Sequence, residues 1–218
     1  MIISFLNQKG GSGKSTLART VAVAFINNKW DVHVADMDKS QRTITNWAEQ
    51  RKDNGISPSV TVGGYTDAKT ALKTEAICDL LVVDGAAYAD THTLDVSKSS
   101  NLVVIPTGVA RDDLQPSLNL AQELIMKGVS KDTILFVVMK VPENGDKEAA
   151  ATRESIDQWG FKVAEGWVSL KTSYSKALDE GRTLTETRHN TLNKKADQVI
   201  QSIVDHFSQT QEENQIAS

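Results

Sequence analysis

The residues best able to do chemistry stand together near the start of the chain. Asn7-Gln8-Lys9-Gly10-Gly11-Ser12-Gly13-Lys14-Ser15-Thr16 follows an apolar run at 2–6 and leads directly into a stretch of helical period. Glycines at 10, 11 and 13 let successive backbone N–H groups turn inward on a polyphosphate, and a helix N-terminus behind them adds its positive dipole end. Lys14 then reaches the β and γ phosphates, and the Ser15 hydroxyl is suited to ligating Mg²⁺. Ser12 and Thr16 complete the lining. Further carboxylates recur at the ends of apolar runs. Asp36 and Asp38, alternate residues of an extended segment, point the same way, toward the expected phosphate site. Asp84 closes the run Leu80-Leu81-Val82-Val83, where a buried strand can hold a carboxylate against water bound to Mg²⁺. Gly85 beside it permits close backbone approach, which makes 85–90 a candidate switch segment.

Such a site needs a particular scaffold. Short β-rich runs at 2–6, 32–35, 60–62, 80–83, 102–105, 134–139 and 161–164 alternate with longer stretches of helical period. Strands separated by helices imply crossovers and a mainly parallel sheet. The strand runs are continuously apolar, so both faces of the sheet are covered, and we expect an α/β three-layer sandwich of about seven strands flanked by helices. Ligands in such folds lie outside the carboxyl ends of the strands, where the glycine-rich loop and the three aspartates fall. Leu17, Val21 and Phe25, then Leu114, Leu118, Ala121 and Ile125, then Leu192, Ala196, Val199, Ile203 and Phe207 mark helical stripes that pack on the sheet. No linker or repeat interrupts the chain before residue 207. We expect one domain over 1–207 and a loose polar tail over 208–218.

The glycine-rich loop departs informatively from the general P-loop pattern, which wants glycine where this chain has Gln8, and it carries a second lysine, Lys9. Lysine, then Gly-Gly-any-Gly-Lys-Ser/Thr, resembles the deviant Walker A signature of the ParA/MinD family of ATPases. The resemblance implies the P-loop NTPase fold, ATP with Mg²⁺, and an ATP-dependent homodimer in which Lys9 reaches across to the partner's phosphates. There it would neutralise charge that develops in phosphoryl transfer. It further implies that Asp38 activates or orients the attacking water, that Asp36 supports the Mg²⁺ shell, and that Asp84 belongs to a Walker B strand. The ends of the next strands, at Pro106 and Lys140, correspond to positions that approach the second lysine and the adenine; for both a plain loop role is the alternative. Lys39 stands where the family has proline, Gln41 comes one residue late, and Lys140 replaces the more usual asparagine or arginine. For Asp38 the competing reading is a solvated turn carboxylate.

Within the family the chain looks most like the small plasmid-type ParA partition ATPases, because it begins at the P-loop strand with no helix-turn-helix before it. That implies nonspecific DNA binding and a ParB-like adaptor that stimulates ATP hydrolysis. The formal charge is −4, so any DNA contact must be local. Between 171 and 195 lie Lys171, Lys176, Arg182, Arg188, Lys194 and Lys195 against three acidic residues, a net of +3. This run is either a phosphate contact or an ordinary helix surface. A MinD-like membrane switch is the alternative from another class, but it needs a basic amphipathic end, and 196–218 carries no lysine or arginine. A metabolic ATP-dependent ligase on the same fold would not need Lys9. With one cysteine, no leader and no membrane-length apolar run, a cytoplasmic or nucleoid-associated protein without membrane contact is expected.

Overall fold

All seven apolar runs form strands. The computed structural model describes residues 1–38, 41–86 and 91–217, and of Thr91, His92 and residues 213–217 the backbone alone. In chain order the elements are β1 (Ile2–Phe5), α1 (Lys14–Asn27), β2 (Val32–Asp36), α2 (Thr43–Asp53), β3 (Thr61–Gly64), α3 (Ala68–Leu72), β4 (Leu80–Asp84), α4 (Thr91–Ser99), β5 (Leu102–Thr107), α5 (Arg111–Met126), β6 (Ile134–Val138), α6 (Asp146–Gln158), β7 (Lys162–Val163), α7 (Thr172–Asp179) and α8 (Asn190–Ala217). One sheet runs β3-β2-β4-β1-β5-β6-β7, and every adjacent pair is parallel.

Strand alternation sends side chains to two separate cores. Ile3 and Phe5 of β1 join one with Leu17 and Val21 of α1, Trp47 of α2 and Val199 of α8. Ile2 joins the other with Val96 of α4, Ala121 of α5 and Ile156 of α6. Helices thus cover both faces, as the continuous apolar strands require. The strand order reverses around β1, whose carboxyl end opens into the glycine-rich loop, and this is the crevice where doubly wound sheets bind ligands. Among the described residues no helix is long and apolar enough to cross a membrane.

The chain end differs from expectation. The segment from Ser208, expected to be a loose tail, continues α8 without a break to Ala217. Its first turns are anchored: Thr210 is buried, its hydroxyl bonds the Phe207 carbonyl at 2.8 Å, and Asn101 donates to Gln211 at 3.2 Å. Polar composition alone does not reveal a helix whose inner face is tied down by a few contacts.

Candidate nucleotide site and basic pocket

The loop from Asn7 to Thr16 is fixed from both sides. Asn7 bridges outward, its Nδ2 donating to the Pro106 carbonyl at 2.6 Å and to the Ser117 hydroxyl at 2.9 Å, while its Oδ1 accepts the Lys9 N–H at 2.9 Å. Pro106 therefore spends its carbonyl on holding the base of the loop. Gly13 caps α1 with φ of 111° and ψ of 10°, a conformation that costs any residue with a Cβ. Met139, just past β6, packs beneath it. Lys140 follows with φ of 57°, and its Nζ lies 3.7 Å from where a Cβ on Gly11 would stand. The end of β6 thus frames the phosphate cradle, with an exposed ammonium at its rim.

The carboxylates converge through strand register. Asp84 pairs in register with Phe5 on one side and Asp36 on the other, so three strand ends meet beneath the loop. Asp84 is buried, and one of its oxygens lacks a hydrogen-bond partner. Full burial pushes its carboxyl up to about 7; the Ser15 hydroxyl pulls it down, the Asp36 charge raises it, and Lys14 and Arg19 lower it. A buried carboxylate with an orphaned oxygen, beside a hydroxyl and a second carboxylate, is a hard oxygen donor set of the kind that takes Mg²⁺ and its water. The residues fit that ion. The Ser12 hydroxyl is likewise buried without a partner at the cradle.

Lys14 is nearly buried, its ammonium 3.4 Å from the Lys9 carbonyl. Burial lowers its pKa, and the charges of Asp84 and Asp38 oppose that shift. Asp36 accepts the Asp38 N–H at 3.1 Å on one oxygen, and the Thr45 hydroxyl at 3.1 Å and N–H at 3.3 Å on the other. Asp38 in turn accepts the Gln41 N–H at 3.1 Å. Lys39 and residues 87–90 of the candidate switch segment 85–90 lie outside the described residues.

Sequence reasoning missed the partner of Lys9. Its ammonium forms an ion pair with Asp113 and donates to the Asp112 carbonyl at 3.4 Å. That carbonyl is free because Pro116, four residues on in α5, has no N–H to give it. A signal exists in Asp112-Asp113, two acids at the first turn of a helix whose dipole favours them. Their distance along the chain from Lys9 conceals the contact.

The basic run divides. Lys176, Arg182 and Arg188 line one cavity of about 370 Å³ with Thr172, Ser173 and His189. Glu180 lies in the same cavity, 3.4 Å from Arg182 and 3.5 Å from Arg188. Lys171 pairs with Glu143 at 3.1 Å. Lys194 lines a different cavity beside Phe25 and Trp30, and Lys195 a third beside Arg153 and Trp167. Three of the six expected cations are therefore brought together.

A parallel sheet whose first strand feeds a glycine-rich loop and a helix defines a P-loop nucleotide-binding protein. The sequence profile of the ATPase MipZ matches residues 1–115, more than half of the chain, and the chain belongs to that family. The fold is shared with a substituted Cyanothece McdA in complex with ATP (TM-score 0.69, 14% identity, covering 93% of this chain and 95% of that one). It is shared also with the septum site-determining protein MinD of Pyrococcus horikoshii complexed with Mg-ADP (0.72, 14%, 93% and 95%). A ParA family ATPase of Chlorobium tepidum gives 0.67 at 17% identity, covering 93% and 98%. No match is found among curated proteins. The chain is a ParA/MinD-type ATPase family member, and the spread of these likenesses does not single out the plasmid partition type.

Proposed function

We propose that the protein is a positioning ATPase of the ParA kind: ATP and Mg²⁺ bind at the P-loop, a sandwich homodimer closes, and the dimer grips DNA without sequence preference until a ParB-like adaptor stimulates hydrolysis. The observation that carries the reading is the junction of Asp84, Asp36, Ser15 and Lys14 beneath a loop whose neighbouring residue is a second lysine. When bound, Mg²⁺ would neutralise phosphate charge and orient the phosphate oxygens. Ser15, Asp36 and Asp84 would hold it with its waters. The amides of residues 10–16 and the Lys14 ammonium would bind the phosphates, with Lys140 at the rim. Lys9, paired with Asp113 in this chain, would exchange that carboxylate for the partner's phosphates on dimerisation. Asp38 would orient the attacking water and accept its proton.

The catalytic assignment is tested by Asp38→Ala. The variant is expected to bind ATP and dimerise as the parent does, measured by light scattering, with turnover reduced at least about 100-fold. Unaltered turnover would remove the assignment.

DNA contact is proposed at the cavity of Lys176, Arg182 and Arg188, which the fold groups together, with Lys171, Lys194 and Lys195 outside it. Binding through phosphates releases counterions, so the logarithm of affinity falls linearly with that of salt concentration. Arg188→Ala is expected to weaken binding equally on unrelated sequences and to reduce the salt slope by roughly 0.9 for each phosphate it no longer neutralises. An unchanged slope in fluorescence anisotropy titrations would exclude Arg188 from the interface.

A further inference from the structure

The cavity of Lys176, Arg182 and Arg188 already holds an anion of its own. Glu180 sits among these cations, with one carboxylate oxygen 3.4 Å from Arg182 Nε and the other 3.5 Å from Arg188 Nη2. One carboxylate thus faces two guanidinium groups, as a phosphate with two free oxygens would. Three cations against one carboxylate leave the cavity a net charge of +2 with His189 neutral. The pairing is incomplete, because Arg182 Nε is shut off from solvent and still makes no hydrogen bond. A better-placed oxygen acceptor would gain the bond that Glu180 leaves unmade.

The main chain, not the ion pair, holds the carboxylate in this place. Glu180 caps the C-terminus of α7: its N–H reaches the carbonyls of Lys176 at 3.1 Å and Ala177 at 3.2 Å, and its own carbonyl accepts Asn54 Nδ2 at 2.9 Å. Gly181 and Arg182 turn back onto the same helix, their N–H groups bonding the carbonyls of Leu178 at 3.1 Å and Ala177 at 2.8 Å. The Arg182 carbonyl accepts the Trp47 indole N–H at 2.9 Å. The backbone beneath the acid and Arg182 is therefore one fixed unit, and only side chains are left to rearrange. A helix C-terminus disfavours a negative charge. With its side chain 43% exposed, Glu180 can also give its carboxylate to water once the arginines are claimed. A charge that breaks the local rule and stands against cations able to recognise a ligand is a departure that points to function.

We infer that Glu180 is a built-in competitor for the anion this cavity takes, holding its affinity for DNA phosphate below what the three cations alone would give. This rests on the reading above that the cavity contacts DNA. An entering phosphate displaces the carboxylate from Arg182 and Arg188, and the carboxylate turns out to water. Two costs follow for the ligand: the ion pairs of Glu180 are given up, and its charge remains close enough to oppose the phosphate. Because Glu180 stands in for a counterion in the unliganded cavity, binding also releases one salt ion fewer than the cations would otherwise allow. The lost affinity lies chiefly in faster release.

The test compares the full-length parent chain with Glu180→Gln, which keeps the side chain's length and loses its charge. Glu143→Gln is the control: its carboxylate pairs with Lys171 outside the cavity, so the total charge changes equally. Fluorescent duplex DNA of arbitrary sequence is titrated at several salt concentrations in one fixed nucleotide state, Mg-AMPPNP. Glu180→Gln is expected to bind about three- to tenfold more tightly than the parent protein. Its salt slope is expected to steepen by roughly 0.9, one further counterion released. Glu143→Gln should leave both close to the parent values. Unchanged or weaker binding by folded Glu180→Gln overturns the inference and makes Glu180 a support for the arginines; an equal gain in Glu143→Gln overturns it as well. If no form of the protein binds DNA, the DNA reading fails by itself, and inorganic phosphate then decides the competition, followed through the amide resonances of residues 172–189. Shifts that saturate at lower phosphate in Glu180→Gln than in the parent protein sustain the competitor, whereas equal or absent shifts overturn it.

Discussion

Replacement of Lys14 by alanine is expected to lower ATP affinity at least about 100-fold, the loss of a charge-assisted hydrogen bond worth about 3 kcal/mol in a site shielded from water. The ammonium stands within the fields of Asp84 and Asp38, and burial already disfavours its charge. Only a polyanion in the cradle makes that charge worth keeping, and without it Asp36 and Asp84 would face the incoming phosphates uncompensated. The fold should not share the loss. Because the ammonium is desolvated in the folded chain, its removal is expected to leave the melting temperature unchanged or raised. A fluorescent-nucleotide titration beside a thermal melt separates the two effects. A variant that melts earlier and still binds ATP would assign Lys14 to the scaffold instead.

Arg51→Ala is expected to destabilise the fold by about 3–5 kcal/mol, the cost of breaking a buried ion pair by removing one partner. Arg51 is fully buried, and its guanidinium is saturated by the carbonyls of Ser57, Pro58 and Gly181 and by Glu186. Its loss would strand that carboxylate, which also accepts the N–H and hydroxyl of Thr183. The pair has a pH signature. Burial pushes the Glu186 carboxyl up, but the Arg51 hydrogen bond and charge, with the two bonds from Thr183, outweigh it and hold the group below the ordinary carboxylate range. A depressed acid stabilises the fold fully above its unfolded pKa, and that stabilisation disappears as pH falls through the folded value. Urea midpoints of the parent protein and of Glu186→Gln should therefore lie far apart at neutral pH and converge in acid. A constant gap would show that the ion pair is not the cause.

The scaffold is legible because its signals are local. Buried parallel strands are continuous apolar runs, and each of the seven lies within two residues of its expected bounds. The stripes of α1, α5 and α8 are equally plain, whereas α2 and α6, with few apolar residues, give no comparable pattern. The phosphate loop is readable for the same reason: glycines, lysine and serine act within one turn of chain. What escapes a sequence reading depends on contacts between distant segments. Asp113 meets Lys9, Met139 lies under Gly13, and Pro106 is engaged by Asn7, none of which spacing can reveal. The basic run shows the same limit from the other direction. Six cations within 25 residues read as one patch, but the turn at 181–189 and the start of α8 send Lys194 and Lys195 to different cavities from Arg182 and Arg188. Asp36 is expected near the phosphates from its spacing and near magnesium from the family resemblance, yet its grip on Thr45 comes from α2 folding back over the end of β2.

The most direct measurement is isothermal titration calorimetry of the parent protein with ATP in magnesium buffer. Saturable uptake of one nucleotide per chain, abolished in Lys14→Ala and weakened when magnesium is chelated, is the predicted result. A flat titration of folded protein would contradict the account, because it would mean that the amides around Gly10–Gly13 and the carboxylate of Asp84 do not enclose a triphosphate and its ion.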